Sequence, residues 1–386
     1  MPRPDAPEVA DGAAGRVGAY VHVPFCRRVC PYCDFAVVAG AEDLADRYVD
    51  ALVAEIGGAD PFDRPLDAVF VGGGTPSRLT AAALGRVVDA LAVRFGIASD
   101  AEVALEANPE DWSQGYAADL VAAGFTRVSL GAQSWEMGVL ERLGRMHAPG
   151  DAAAAVADAR AAGFESVNVD LIFGTPGETL RSWRDGVAAA LDTGVDHLST
   201  YALTVERGTP LSRAVAAGAP APDPDLQAEM WEVGASLAAG AGLVRYETSN
   251  HARPGHAAVY NLLTWAQGDY AAFGTGAHGH RRGRRTRNMR RLDRYLEAVE
   301  GGGTAVQGVE EVTGWAAEQE RLLLGLRRTA GVTAGAGGAR LLGSPEGRRL
   351  VEAGVLEAVG GRLRVARPLL GDEVARAVLA LDPREC

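Results

Sequence analysis

Six short apolar runs, rich in β-branched residues, punctuate the first half of the chain: Ala19–Val23, Ala68–Val71, Val103–Glu106, Arg127–Leu130, Ser166–Ile172 and His197–Leu203. Between them lie amphipathic stretches of helical period near 43–56, 79–95, 114–123, 136–143, 151–162 and 178–191. Runs this short, apolar on both faces, suit strands buried in a parallel sheet; the intervening stretches suit crossover helices. Strand–helix alternation of this kind predicts parallel strands joined by right-handed crossovers. Six units are too few for a closed eight-stranded barrel, so the expected fold is α/β, an open and partial (β/α)6 barrel.

Beyond these units the pattern changes. A Pro/Ala-rich stretch at 209–224 predicts a loop, and 225–240 predicts a helix. A Gly/aromatic region follows at 243–280, then an arginine-rich run from Arg281 to Arg294. Residues 310–386 predict helix, helix, a strand pair Val355–Val359 and Arg362–Val365, and a last helix, a pattern that suits a small winged-helix-like domain. The expected division is therefore a tail over 1–17, the barrel over 18–242, an α+β extension over 243–305 and a C-terminal domain over 306–386. No repeat of fixed period is visible.

Composition narrows the chemistry. The chain is 47% hydrophobic and 23% charged, ordinary for a globular protein. A net charge of -12 disfavours nucleic acid and anionic lipid as partners, so an anionic ligand has to be met by a local basic site. No lysine occurs, so all 38 basic residues are arginine. That excludes Schiff-base chemistry on this chain and a P-loop lysine. The first residues lack the apolar core of a secretory signal, and no apolar run is long enough to span a bilayer. A cytoplasmic location is expected.

Three of the four cysteines fall in AYVHVPFCRRVCPYCDF, directly after the first expected strand. That loop lies where a barrel places its active site. The spacing C-x3-C-x2-C brings Cys26, Cys30 and Cys33 together, and thiolates hold soft metals and iron–sulfur clusters. A [4Fe–4S] cube with three protein ligands leaves one iron open. The alternative is zinc, with His22 or Asp34 as a fourth ligand. Cys386, at the last position, reads as an incidental free thiol.

Polar residues recur at later strand ends. The second strand leads into Gly72-Gly73-Gly74-Thr75-Pro76, whose glycines let backbone approach a ligand closely. The third ends at Glu106 in EANPE, the fourth is followed by Gln133, and the fifth carries Asp170 inside an apolar run. Each alone suits a cap or a loop hydrogen bond. In a parallel barrel, however, all these ends share one mouth. Carboxylates there can take a ribose diol, so a nucleoside-bearing cofactor beside the metal loop is expected.

C-x3-C-x2-C after a first barrel strand resembles the signature of radical S-adenosylmethionine (SAM) enzymes. The wider set YVHVPFC, CPYCDF, GGGTPS, EANPE, RVSLGAQS, RLGRMH, NVDLIFGTPGET, LSTYALTVERGTPL and YETSNHARPG resembles the oxygen-independent coproporphyrinogen III oxidase family over roughly 18–330. The resemblance implies that Cys26, Cys30 and Cys33 bind three irons and that SAM chelates the fourth. It implies SAM contacts at Tyr20, Gly73, Gly74, Thr75, Glu106, Gln133, Arg145 and Asp170, with Asp170 on the ribose. It also implies reductive cleavage of SAM to methionine and a 5′-deoxyadenosyl radical, with an electron donor such as flavodoxin.

The family has two branches. Decarboxylating oxidases resemble C-x3-C-x2-C-x-C and carry a long segment ahead of the cysteines. Here Phe35 occupies the last cysteine position and 25 residues precede Cys26. This chain therefore resembles the heme chaperones, which bind heme and pass it to acceptor proteins; the alternative is a radical decarboxylase of coproporphyrinogen III. The chaperone pattern His-Asn-x-x-Tyr-Trp aligns with Tyr260, Asn261, Leu262, Leu263, Thr264 and Trp265, followed by Gly268-Asp269-Tyr270. Asn261 and Trp265 match. Tyr260 is either a heme ligand or a packed aromatic, and His251, His256 and His278 lie nearby as substitutes. The run Arg281–Arg294 is either a solvated hairpin or a partner for heme propionates or an acidic protein. Peripheral contact with membrane proteins and a monomeric or dimeric state both remain compatible with the sequence.

Overall fold

A computed structural model describes residues 15–381; Cys386 and the first fourteen residues lie outside the described residues. Twelve strands form one sheet, numbered here in chain order. They are β1 (Val17–Val23), β2 (Leu66–Gly73), β3 (Ile97–Ala107), β4 (Arg127–Gln133), β5 (Ser166–Phe173), β6 (His197–Ala202), β7 (Val244–Arg245), β8 (Asn250–Ala252), β9 (Asp269–Phe273), β10 (His278–Arg281), β11 (Arg284–Asn288) and β12 (Val306–Glu311). Their order across the sheet is β12-β11-β10-β9-β1-β2-β3-β4-β5-β6-β8-β7. Neighbours from β1 to β6 are all parallel, as the alternating pattern predicts. The crossovers include helices Ala45–Gly58, Ala81–Phe95, Gln114–Ala122, Pro149–Ala162 and Leu180–Asp192.

The side-chain alternation of β1 separates two layers. Ala19, Val21 and Val23 are fully buried with Tyr48, Leu52 and Ile56 of the first crossover helix. Tyr20 instead packs with Phe70 and Tyr260 in a separate cluster. Val17 already belongs to β1, so the expected tail stops short of it.

Three expectations need correction. First, the parallel core has a seventh strand: β9 lies parallel to β1, from Val17 opposite Asp269 to Val21 opposite Phe273. Its sequence, DYAAF, has two central alanines, a leading Asp and no β-branched residue, so its strand signal is weak. Second, the expected loop at 209–224 contains helix Pro210–Ala216, in which Pro210 occupies the first turn and Thr209 accepts from the Ser212 N–H. Proline there starts a helix rather than breaking one. Third, residues 306–311 belong to the large sheet, because β12 pairs antiparallel with β11.

A second core, with Leu322, Leu341, Leu356, Leu363 and Val374, begins with helix Gly314–Gly325. Three helices, not two, precede the strand pair, because Ser344 caps and Pro345 starts a separate helix Pro345–Glu352 after Gly335–Gly343. The pair Leu356–Val359 and Arg362–Val365 gains a third strand, Val332–Thr333, and helix Gly371–Leu379 closes the unit.

Candidate functional site

The cysteine loop leaves β1 and is fixed at both ends. Phe25–Cys26 pairs with Val38–Ala39 as a short parallel ladder, and the Cys33 N–H donates to the Cys30 carbonyl at 3.1 Å. Arg27 donates to the buried Asp111 carboxylate at 2.7 Å, and Arg78 joins the same oxygen at 2.9 Å. The three thiols are free and line one cavity of about 520 Å³. Gly73, Gly74, Thr75, Glu106, Gln133, Arg145 and Asp170 line the same cavity. So the residues expected at successive strand ends share one mouth.

Tyr20 is the exception. It is not among the cavity-lining residues; its hydroxyl contacts His22 Nδ1 at 2.9 Å, and its ring packs against both Phe70 and Tyr260. His22 Nε2 in turn meets the Ala36 carbonyl at 2.8 Å. Both His22 nitrogens are thereby committed, which removes it as the fourth ligand of a zinc site.

Asn108 links the two sides of the cysteine loop, and sequence reasoning passed over it. Its Nδ2 donates to Thr75 Oγ1 at 3.2 Å, and Thr75 donates to Cys26 Sγ at 3.5 Å. Its Oδ1 accepts from Arg145 Nη2 at 2.6 Å, while Arg145 Nη1 approaches Cys30 Sγ at 3.9 Å. The Gly131 carbonyl holds the same guanidinium at 2.8 Å. Burial pushes the Cys26 thiol up to about 11, against the Thr75 hydrogen bond. Metal ligation requires the thiolate, so loading the site releases protons.

The glycine loop is shaped for close approach. Gly73 has φ +112°, and a Cβ there would fall 2.4 Å from the His22 ring. A Cβ on Gly74 would fall 2.8 Å from the Pro24 backbone. The Gly73 N–H donates to Glu106 Oε2 at 2.9 Å. Asp170 accepts from Ser129 Oγ at 2.6 Å and Asn168 Nδ2 at 2.9 Å. Gln133 sits at φ 62°, a left-handed conformation unusual for glutamine, where the ladder between β4 and β5 shifts register. Burial and then Asp170 push Glu106 up to about 8, and burial raises Asp170 as well. Two buried carboxylates without an ion-pair partner suit a cationic ligand that also brings hydroxyls.

These donors fit the two groups expected here. Cys26, Cys30 and Cys33, on one loop and lining one cavity, could supply three thiolates to a [4Fe–4S] cluster. Glu106, Asp170, Arg145 and the glycine loop could complement SAM, whose sulfonium and ammonium groups are positive and whose ribose is a diol.

Tyr260 lies elsewhere. It is 9% exposed, in helix Val259–Trp265, and stacks on Phe70 with ring centroids 5.3 Å apart. Trp265 lies under the Arg327 guanidinium, and the Asn261 carbonyl accepts from Thr264. None of the three lines the cavity.

Residues 20–188 match the family model of the radical SAM superfamily, so fold and site together define a radical SAM protein. The chain is 42% identical over 373 residues to heme chaperone HemW of Mycobacterium tuberculosis, covering 94% of each chain. It is 36% identical over 324 residues to heme chaperone HemW of Bacillus subtilis, covering 82% of this chain and 84% of that one. It belongs to the HemW family. The solved structure of coproporphyrinogen III oxidase (HemN) from Escherichia coli, a radical SAM enzyme, shares the fold: TM-score 0.80 at 21% identity, covering 96% and 92% of the two chains. Among the described residues no helix is long and apolar enough to cross a membrane.

Proposed function

We propose that this protein is a heme chaperone, binding heme as cargo and delivering it to an acceptor protein, with a [4Fe–4S] cluster and SAM in the barrel mouth. The observation that carries this reading is the match to heme chaperones along 94% of both chains, barrel, extension and C-terminal unit included. Phe35 supports it: the position that holds a cysteine in the oxidase pattern is here an apolar side chain, 61% exposed at the cavity.

When bound, the cluster and SAM supply one-electron reductive cleavage of the sulfonium. The chain's own residues hold and orient. Cys26, Cys30 and Cys33 would ligate iron, and Arg145, locked by Asn108 and Gly131, keeps a fixed positive charge beside Cys30. Asp170, held by Ser129 and Asn168, presents its carboxylate to the ribose. Glu106 and the Gly73–Thr75 backbone would hold the methionyl part, Gln133 lines the same cavity, and Tyr20 orients His22 behind the loop. The proposed setting is the cytoplasm, with a reducing protein such as flavodoxin as electron donor.

Anaerobic reconstitution followed by hemin titration, SAM cleavage and coproporphyrinogen III turnover on one sample tests this. Binding of about one heme per chain without carbon dioxide release is the expected result. Release of carbon dioxide from coproporphyrinogen III would establish the oxidase reading in its place.

A further inference from the structure

We propose that one face of the β10–β11 hairpin is the heme platform, with His278 as axial ligand to iron and Arg287 and Arg290 as partners for the propionates. This rests on the heme-binding reading above and names its site.

The arginine-rich segment has eight arginines, and most are already engaged within the chain. Arg281 donates to the Asp60 and Pro61 carbonyls. Arg282, Arg284, Arg285, Arg291 and Arg294 each meet a carboxylate. Among the described residues, Arg287 and Arg290 pair with none; Arg290 donates to the Asp34 carbonyl at 2.7 Å. Both are exposed. In a chain of net charge -12, two guanidinium groups without a carboxylate partner, both acting on His278, suit an anion.

His278 stands directly opposite Arg287 in the β10–β11 ladder, so both side chains share a face. His280 opposite Arg285, and Tyr270 opposite His280, continue that face toward β9. Tyr270 is partly exposed and packs on His280 at 6.3 Å and on Tyr260 at 5.7 Å, giving an aromatic floor. A flat apolar ring carrying carboxylates and an open iron site matches imidazole, guanidinium and aromatic surface together.

The other histidines are poorer ligands. His22 and His197 have both ring nitrogens hydrogen-bonded within the chain, His147 and His251 are buried, His280 is only partly exposed with Nδ1 on the Gly268 carbonyl, and His256 is partly buried with a partner of its own. His278 is the exposed one, and its ring makes no hydrogen bond to a described residue. Partial burial, then the charges of Arg287, Arg285 and Arg290, hold its imidazole below the usual range. It is therefore neutral at pH 7, with a lone pair to donate to ferric iron in place of a water. Through Arg290 and the Asp34 carbonyl the platform touches the cysteine loop.

The test titrates the full-length, cluster-loaded protein with hemin and, separately, with metal-free protoporphyrin IX. His278→Ala is expected to lose the visible spectrum of imidazole-ligated ferric heme, to regain it on addition of free imidazole, and to bind protoporphyrin IX as the parent does. Arg287→Glu is expected to weaken both ligands about tenfold, a loss of about 1.4 kcal/mol. His278→Met, which keeps a ligand of different spectrum, is expected to shift the band while leaving the melting temperature unchanged. A parental hemin spectrum in His278→Ala overturns the platform and leaves the heme-chaperone reading standing. Absence of hemin binding by the parent protein overturns both.

Discussion

Glu106 on β3 and Asp170 on β5 line the same cavity, the Asp170 charge raises the proton affinity of Glu106, and neither forms an ion pair with another described residue. With Glu106 pushed up to about 8 from an ordinary 4.5, the ligand-free protein carries a proton there at neutral pH. The native state then binds more protons than the unfolded chain between those values. The Glu106 contribution to stability is present below 4.5 and is lost as pH rises through about 8. Thermal melts from pH 5 to 9 are expected to show a falling slope that Glu106→Gln reduces. Calorimetric titration is expected to show SAM affinity rising through the same window, because the carboxylate is the form that attracts a cation. In Glu106→Gln that rise is expected to flatten, with affinity lower by about tenfold. Identical pH profiles in the two proteins would refute the assignment.

Asn108 ties Thr75, and through it Cys26, to Arg145 beside Cys30. Asn108→Ala removes a donor and an acceptor at once and leaves a buried guanidinium with fewer partners. The expected cost is about 1–3 kcal/mol in thermal unfolding. A reconstituted sample is also expected to contain less iron and sulfide per chain. Full cluster content in a destabilised Asn108→Ala would mean that the amide serves folding alone.

The barrel was legible because β1 to β6 are buried on both faces and therefore read as continuous apolar runs. Cys26, Glu106, Gln133 and Asp170 were legible because they interrupt or directly follow such runs. β9 was not, because Tyr270-Ala271-Ala272-Phe273 lacks β-branching and takes its strand form from pairing with β1. Asn108, Ser129 and Asn168 were missed for another reason. Their importance lies in hydrogen bonds across 37, 41 and 39 residues of sequence, and no local pattern marks such partners. Helix Pro210–Ala216 was hidden by a proline whose meaning depends on whether it falls at a first turn or later.

Tyr260 illustrates the difference between a motif position and a placed side chain. Its ring stacks on Phe70 and Tyr20, and its hydroxyl makes no hydrogen bond to a described residue. Tyr260→Phe is therefore expected to melt within about 0.5 kcal/mol of the parent and to bind hemin unchanged. Tyr260→Ala opens a cavity in that stack and is expected to cost about 3–5 kcal/mol. Hemin titration of Tyr260→Phe is the discriminating measurement. A lost heme spectrum in that variant would return the ligand role to the phenol.

Glu102 anchors the helix that carries Tyr260. Its Oε1 accepts from the Val259 N–H at 2.8 Å and the Tyr260 N–H at 3.3 Å, the first turn of Val259–Trp265. A carboxylate there satisfies orphan donors and interacts favourably with the positive end of the helix dipole. Its Oε2 lies 3.6 Å from Arg127, whose guanidinium is buried and also holds the His256 carbonyl at 2.9 Å. Glu102→Ala strips the helix of its acceptor and leaves Arg127 buried without a carboxylate, so the expected cost is about 3–5 kcal/mol. Glu102→Gln keeps an acceptor for the two N–H groups but removes the charge, and is expected to be milder. Hydrogen exchange provides the local readout. Amides of 259–265 are expected to lose protection in Glu102→Ala while β4 and β5 keep theirs. Uniform loss across the barrel would show that Glu102 supports the global fold instead of this helix.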